Sequence, residues 1–348
     1  MNVHSSRYAT LLRQELAARN RIYAQGRAHV ESYGGAPVIV YEPEGEALKD
    51  GASCVGREGR RHGNFFGPAY AAILARPEWL RRFDKIHAQA ARALPKPQHD
   101  AMRKWRELDS CMSSDALLMN IYCTPGVGEA VRSMQGVEVD SLPEFGWKAR
   151  VPLLGGRFDR TEVDMRWGSL LVEAKLTESD FQVRAARIVE AYRDFDEVFD
   201  RALLPRAAIA VTRSRRASEF PENISQEFES ELGEPEAVTA IDPVIAAPRE
   251  AGYAGYQLIR NVLAAHAGGA CFCVLHDERR PDLREQWFEV MAAVKSAALR
   301  VRLKVLTWQE LAVLAPEELQ EFLDVKYGIV APGRIASAMK GDSLEPNM

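Results

Sequence analysis

FDRTEVDMRWGSLLVEAKLT, residues 158–177, is nearly symmetric about Gly168-Ser169, and that symmetry decides the fold. Alternating runs flank a Gly-Ser pair, the composition of a two-residue hairpin turn in which glycine takes the positive φ. With Gly168 and Ser169 as the loop, Trp167 pairs with Leu170, Asp164 lies opposite Glu173, and Glu162 lies opposite Lys175. Strand side chains alternate, so these four polar residues are expected on one face. Val163, Met165, Trp167, Leu170, Val172 and Ala174 take the other. Directly opposed side chains approach to roughly 5 Å, where like charges repel. Two carboxylates so placed need a neutralising partner, and a divalent cation is the first candidate.

On the carboxyl side, Phe181, Ala185, Ile188, Tyr192, Phe195 and Phe199 are spaced 4, 3, 4, 3, 4 and predict one long amphipathic helix. AAIAV (207–211) then reads as a buried strand, and 217–249 as an acidic, proline-containing excursion. A helix at 251–267, a strand at 270–276, a helix at 283–298 and a last strand follow. In that strand Arg300, Arg302 and Lys304 alternate with Val301, Leu303 and Val305. On the amino side, WKARVPLL (147–154) reads as a strand, and 98–108 and 113–122 as helices. Pro77 opens a helix with Trp79, Phe83, Ile86, Ala90 and Leu94 on its buried stripe. Residues 5–32 predict a long helix that buries Tyr8, Leu11, Leu12, Leu16, Ile22 and Tyr23, with a short strand at 38–41 after it. The loop at 42–68 sets Arg57, Arg60, Arg61 and His62 among glycines, as phosphate contacts or as solvated surface. The resulting division is a mainly helical region 1–105, a core 106–330 carrying the insertion 217–249, and a tail 331–348.

Composition bounds the class. The 348 residues are 47% hydrophobic and 27% charged, as in ordinary globular proteins. A net charge of -4 and a pI near 6.1 argue against a chain basic all over, yet attraction to phosphate can be confined to one cleft. No stretch reaches membrane-spanning length, so no membrane is expected and the cytoplasm is the default location. Five cysteines without CxxC or Cys/His zinc spacing predict reduced thiols. GVGEAV (126–131) lacks the third glycine of a phosphate loop, and no HExxH or GxSxG occurs. His266 and His276 read as structural.

Asp164, eight residues, then Glu173-Ala174-Lys175 resembles the signature of the PD-(D/E)XK, or restriction-endonuclease-like, nuclease superfamily, with Val163 in place of proline. SSDALLMN (113–120), TEVD (161–164), LLVEAKLTESDF (170–181) and RNVLAAH (260–266) resemble bacterial branches of it. The resemblance implies an α/β fold with a central mixed sheet flanked by helices. It also implies a Mg2+-dependent endonuclease, with Mn2+ as a substitute. Asp164 and Glu173 would bind the metal, and the Ala174 carbonyl is a candidate third oxygen. Lys175 would orient the attacking water and offset charge on the phosphate. Glu162 is a second carboxylate for metal or, the favoured reading, the cross-strand ion partner of Lys175. The superfamily often adds an acid from the first core helix. Glu107, Asp115 and Glu129 are the candidates, although Asp115 at a helix start also suits capping and dipole complementarity. Gln182 is either a substrate contact or a solvated first-turn residue. Nucleic acid, DNA before RNA, is the expected partner. Arg213, Arg215 and Arg216 and the basic residues of 300–304 are candidate backbone contacts. A homodimer would supply two sites for two strands. The rivals are a nucleic-acid-binding or scaffolding protein that does not cut and, more remotely, a carboxylate-pair sugar hydrolase.

Overall fold

The computed structural model describes residues 3–25, 27, 29–31, 37–39, 41–43, 60–83, 85, 106–128, 130–131, 142–210 and 249–333. Its centre is a five-stranded mixed sheet of β1 (Glu144–Lys148), β2 (Glu162–Trp167), β3 (Leu170–Ala174), β4 (Cys271–His276) and β5 (Leu303–Thr307). The order across the sheet is β5-β4-β3-β2-β1. The first three strands form an antiparallel meander, whereas β3, β4 and β5 run parallel. Parallel neighbours need crossover connections. Helix α4 (Tyr256–Ala267) lies in the first crossover and α5 (Pro281–Ala292) in the second. The hairpin forms in the predicted register, with Met165 opposite Val172, Arg166 opposite Leu171 and Trp167 opposite Leu170. Gly168 takes φ +56 at the turn.

Both faces of the sheet are covered, which is why CFCVLH in β4 is an apolar run rather than an alternating one. One face packs Leu171, Phe272 and Val274 against Leu258 and Val262 of α4 and Leu283 and Trp287 of α5. The other packs Leu170, Val172 and Leu275 against four helices. These are α1 (Val3–Tyr23), α3 (Ser114–Tyr122), α6 (Trp308–Ala312) and α7 (Glu317–Tyr327). A third cluster, including Phe83, Leu108, Ala116 and Met119, docks α2 (Pro77–Phe83) against α3. Each large apolar side chain removed from water contributes about 1.5–3 kcal/mol. The fold is α/β, a central mixed sheet between helical layers. Among the described residues no helix is long and apolar enough to cross a membrane.

Several elements differ from the sequence reading. The single helix expected at 181–199 is instead a strand at Val183–Ala185 and two short helices, Ala186–Val189 and Phe195–Val198. Phe181, Ala185, Tyr192, Phe195 and Phe199 are still buried. Successive single turns return apolar residues to a core at nearly the spacing of a continuous helix. The strand at Val183–Ala185 and the predicted strand at 207–211, found as Arg206–Ala210, flank Arg249–Ala254 in a separate antiparallel sheet. Arg206 and Ala208 are exposed, so this strand is not the buried one expected.

Helix α1 buries Ala9, Leu12, Leu16 and Ala17, while Tyr8, Leu11 and Ile22 face solvent. Residues 60–62, expected in a loop, form a strand whose His62 is buried against Asp109. At the last core strand, Val301 is exposed and precedes β5. Among the described residues, Cys111, Cys123, Cys271 and Cys273 form no disulfide, in keeping with the reduced thiols expected. Cys54, Arg57, Ile86, Ala90, Leu94, Arg213, Arg215, Arg216 and the segment 217–248 lie outside the described residues.

Candidate active site

The hairpin ladder closes one pair short of Asp164 and Glu173. Beyond it the Asp164 side chain reaches the neighbouring strand, where Oδ2 accepts the Ala174 N–H at 2.7 Å. Glu173, only 1% exposed, has both oxygens engaged. Its Oε1 accepts from Lys175 Nζ and its Oε2 from Asn261 Nδ2, each at 2.8 Å. Asn261 sits on α4, and its Oδ1 accepts from Arg260 Nη2 at 2.8 Å. The same Nη2 donates to the carbonyl of Glu162 at 2.8 Å. With its oxygen held this way, the amide of Asn261 is turned so that its N–H faces the carboxylate.

Lys175 is fixed through its backbone as well. Its N–H donates to the Leu275 carbonyl at 2.8 Å, and its carbonyl accepts from Trp308 Nε1 at 2.9 Å. The loop that follows is gripped by Arg280, whose side chain is fully buried. That guanidinium donates to the carbonyls of Leu176, Glu178 and Ser179 at 3.4, 2.7 and 3.1 Å. It is itself held by a bidentate pair with Asp282. Glu178 links the loop to the start of α3 by accepting from Ser114 Oγ at 2.7 Å.

A second group of charges lies alongside. Arg82 of α2 bridges the carboxylates of Asp115 and Glu162 through its two terminal nitrogens. Lys85 Nζ lies 2.9 Å from Glu162 Oε1 and 3.0 Å from Glu107 Oε2. Glu162 is therefore not the partner of Lys175. The ammonium turns to Glu173 two residues back along the chain, while Arg82 and Lys85 hold Glu162. Ser113 Oγ caps α3 by accepting the Ala116 N–H. The capping role foreseen for Asp115 belongs to Ser113, and the Asp115 carboxylate goes to Arg82. Gly146 makes room for this bridge. It has φ +67, and a Cβ there would stand 2.8 Å from Arg82 Nη1.

The charges reshape one another. Burial pushes the Asp164 carboxyl well above the usual range, and the charges of Glu173 and Asp115 push it further, against Lys175 and the Ala174 N–H. Burial pulls the Lys175 ammonium down, but Glu173, Glu178 and Asp164 outweigh it and leave its pKa raised. Burial of Glu162 is likewise outweighed, here by Arg82 and Lys85, and its pKa is lowered. Glu107 is raised by burial and by Asp115, against Lys85 and Arg82.

Asp164, Glu173, Lys175 and Asp115 thus share one neighbourhood. Glu129 lies outside the described residues. Gln182 is at φ +64, donates its N–H to Asp180 Oδ1 and accepts the Tyr256 N–H, which places it at the start of α4. Arg300 and Arg302 donate to the carbonyls of Val294 and Ala270. Arg82 carried no signal in the spacing, and Arg260 and Asn261 stood in the segment RNVLAAH without an assigned role. Their separation in sequence from the hairpin hides them.

Among the described residues, no three His, Cys, Asp or Glu side chains form a ready-made metal cage. Mg2+ does not require one, because it commonly takes one or two carboxylates and fills its shell with water and phosphate. The donor chemistry fits it. Asp164 and Glu173 are hard oxygen donors, and their repulsion is among the causes of the raised Asp164 pKa.

The family model of Restriction Endonuclease associating with ARP matches residues 29–328, and the chain belongs to that family. No curated protein and no solved structure matches it. The restriction-endonuclease-like resemblance is thereby supported over most of the chain. Membership points to nuclease activity on nucleic acid, in a class that usually employs divalent metals.

Proposed function

We propose that this member of the Restriction Endonuclease associating with ARP family is a Mg2+-dependent endonuclease that hydrolyses phosphodiester bonds in DNA. The observation that carries the reading is the buried Lys175 ammonium, bonded to Glu173, with Asp164 in the same field of charge. Asp164 and Glu173 would hold the ion, and a bound divalent cation lowers the pKa of water and stabilises charge on the phosphate. Lys175, kept cationic by its acidic neighbours, orients the attacking water and offsets negative charge on the phosphoryl oxygens. Asn261 keeps the Glu173 carboxylate from rotating. The sheet and α4 exclude bulk water from behind the pair, which strengthens each of these interactions.

The test is a cleavage assay on supercoiled and linear DNA with Mg2+, Mn2+ or chelator. Nicking or linearisation with either metal, abolished by chelator and by Lys175→Ala, is expected. DNA binding by Lys175→Ala, followed by gel shift in Ca2+, stays near wild type. Binding without any metal-dependent cutting would favour the second reading, an inactive nucleic-acid-binding or scaffolding protein. The full occupation of Glu173 by Lys175 and Asn261 is the feature that speaks for it.

A further inference from the structure

Within that nuclease reading, we infer that Arg82 is a positioning residue that fixes Asp115 as the third carboxylate of the site, so that the helix Pro77–Phe83 helps build the catalytic centre. The helix is held on both sides of its guanidinium. Trp79 Nε1 donates to the Pro143 carbonyl at 2.7 Å, and Phe83 is fully buried beside Leu108, Ala116 and Met119. The Arg82 side chain is 5% exposed, and its guanidinium spans Asp115 on α3 and Glu162 on β2. Asp164 is two residues from Glu162 on the same strand, and Asp115 acts on it electrostatically.

A planar fork meets two carboxylates in one fixed geometry, which a flexible ammonium does not reproduce. Oδ2 of Asp115 is held by Arg82, and no hydrogen bond occupies Oδ1 among the described residues. Gly146 leaves the space the guanidinium needs. Lys85 takes a second share of Glu162, so Arg82 is not needed there as the sole counter-charge. Its distinct contribution is the bond to Asp115. Partners of this kind, which orient a metal-binding side chain, typically alter metal affinity or activity 10–100-fold when removed.

Mn2+ binding measured by calorimetry tests this without turnover, on wild type, Arg82→Met, Arg82→Lys, Asp115→Asn and the double variant Arg82→Met/Asp115→Asn. Near-ultraviolet circular dichroism checks the fold of each. Arg82→Met is expected to weaken Mn2+ binding about tenfold. Arg82→Lys weakens it less, and Arg82→Met adds nothing once Asp115 is Asn. If Arg82→Met fails to fold, Arg82→Lys against Asp115→Asn carries the same comparison. Unchanged or tighter Mn2+ binding, the behaviour of a cation that merely competes with the metal, overturns the inference. So do losses that add in the double variant. Wild-type protein that cuts DNA with metal while Arg82→Met binds Mn2+ normally removes this inference alone. Wild-type protein that binds no Mn2+ removes the nuclease reading with it.

Discussion

Lys175 and Lys326 are both buried, 5% and 0% exposed, and their surroundings push them in opposite directions. Lys326 on α7 donates to Asn20 Oδ1 at 2.6 Å and lies 4.9 and 5.0 Å from the ring centroids of Tyr23 and Tyr327. Among the described residues, the groups that act on it are Cys111 and Arg27, and neither is a carboxylate. Burial brings its pKa down to about 8, with Cys111 opposing weakly and Arg27 adding to the fall. Lys175 suffers the same burial but sits among Glu173, Glu178 and Asp164, which hold its proton. Burial alone therefore does not decide whether a lysine is charged. The neighbours decide. One lysine is kept as a cation where acids need it, and the other is a cost borne by the helical layer.

The same substitution at the two positions sharpens that contrast. Lys175→Met should lower cleavage by at least about 10²–10³-fold, by analogy with loss of an electrostatic stabiliser. In metal-free buffer it should also destabilise the fold by about 3–5 kcal/mol, because it leaves Glu173 buried without its cation. Urea unfolding measures the second effect, and no loss of stability would contradict the arrangement. Lys326→Met should do the reverse and stabilise the protein by roughly 3 kcal/mol at neutral pH, at 1.36 kcal/mol per pKa unit.

That gain depends on pH. Lys326 titrates near 10.5 when exposed and near 8 in the fold. Between those values the unfolded chain binds more protons, so the penalty is complete below about 8 and fades as pH rises towards 10.5. The stability difference between wild type and Lys326→Met should accordingly narrow across that window. A constant difference would show that burial does not depress this lysine. The smallest effect is expected for Asn261→Ala, about 1–3 kcal/mol from a buried acceptor left unpaired at Glu173 Oε2. It should be partly recovered when Mg2+ is added, which thermal unfolding with and without metal reads directly.

The hairpin was legible because period two, a Gly-Ser turn and a buried face together allow one register. Six apolar residues from Phe181 to Phe199 were not decisive in the same way. Their spacing suits a helix, but the backbone of 183–185 pairs with 252–254, a partner far along the chain. Strand alternation puts Val163 with Met165 and Trp167, yet it packs on the opposite core, with Leu171 and the α4 side. Asp164 and Glu173 could be paired from local spacing, and the resemblance added Lys175, but spacing did not choose Asp115 over Glu107 and Glu129. Arg82 and Asn261, which hold Asp115 and Glu173, could not be placed that way, since neither is near the hairpin in sequence. Local pattern reveals what shares a strand, and only the packed fold reveals what stands opposite it.

Arg280 grips the segment after Lys175 by three carbonyls and is itself locked to Asp282. The conformational freedom of that loop is surrendered during folding, not during encounter with another molecule. An anion arriving beside Lys175 meets a segment already immobilised, so association needs to supply little ordering there.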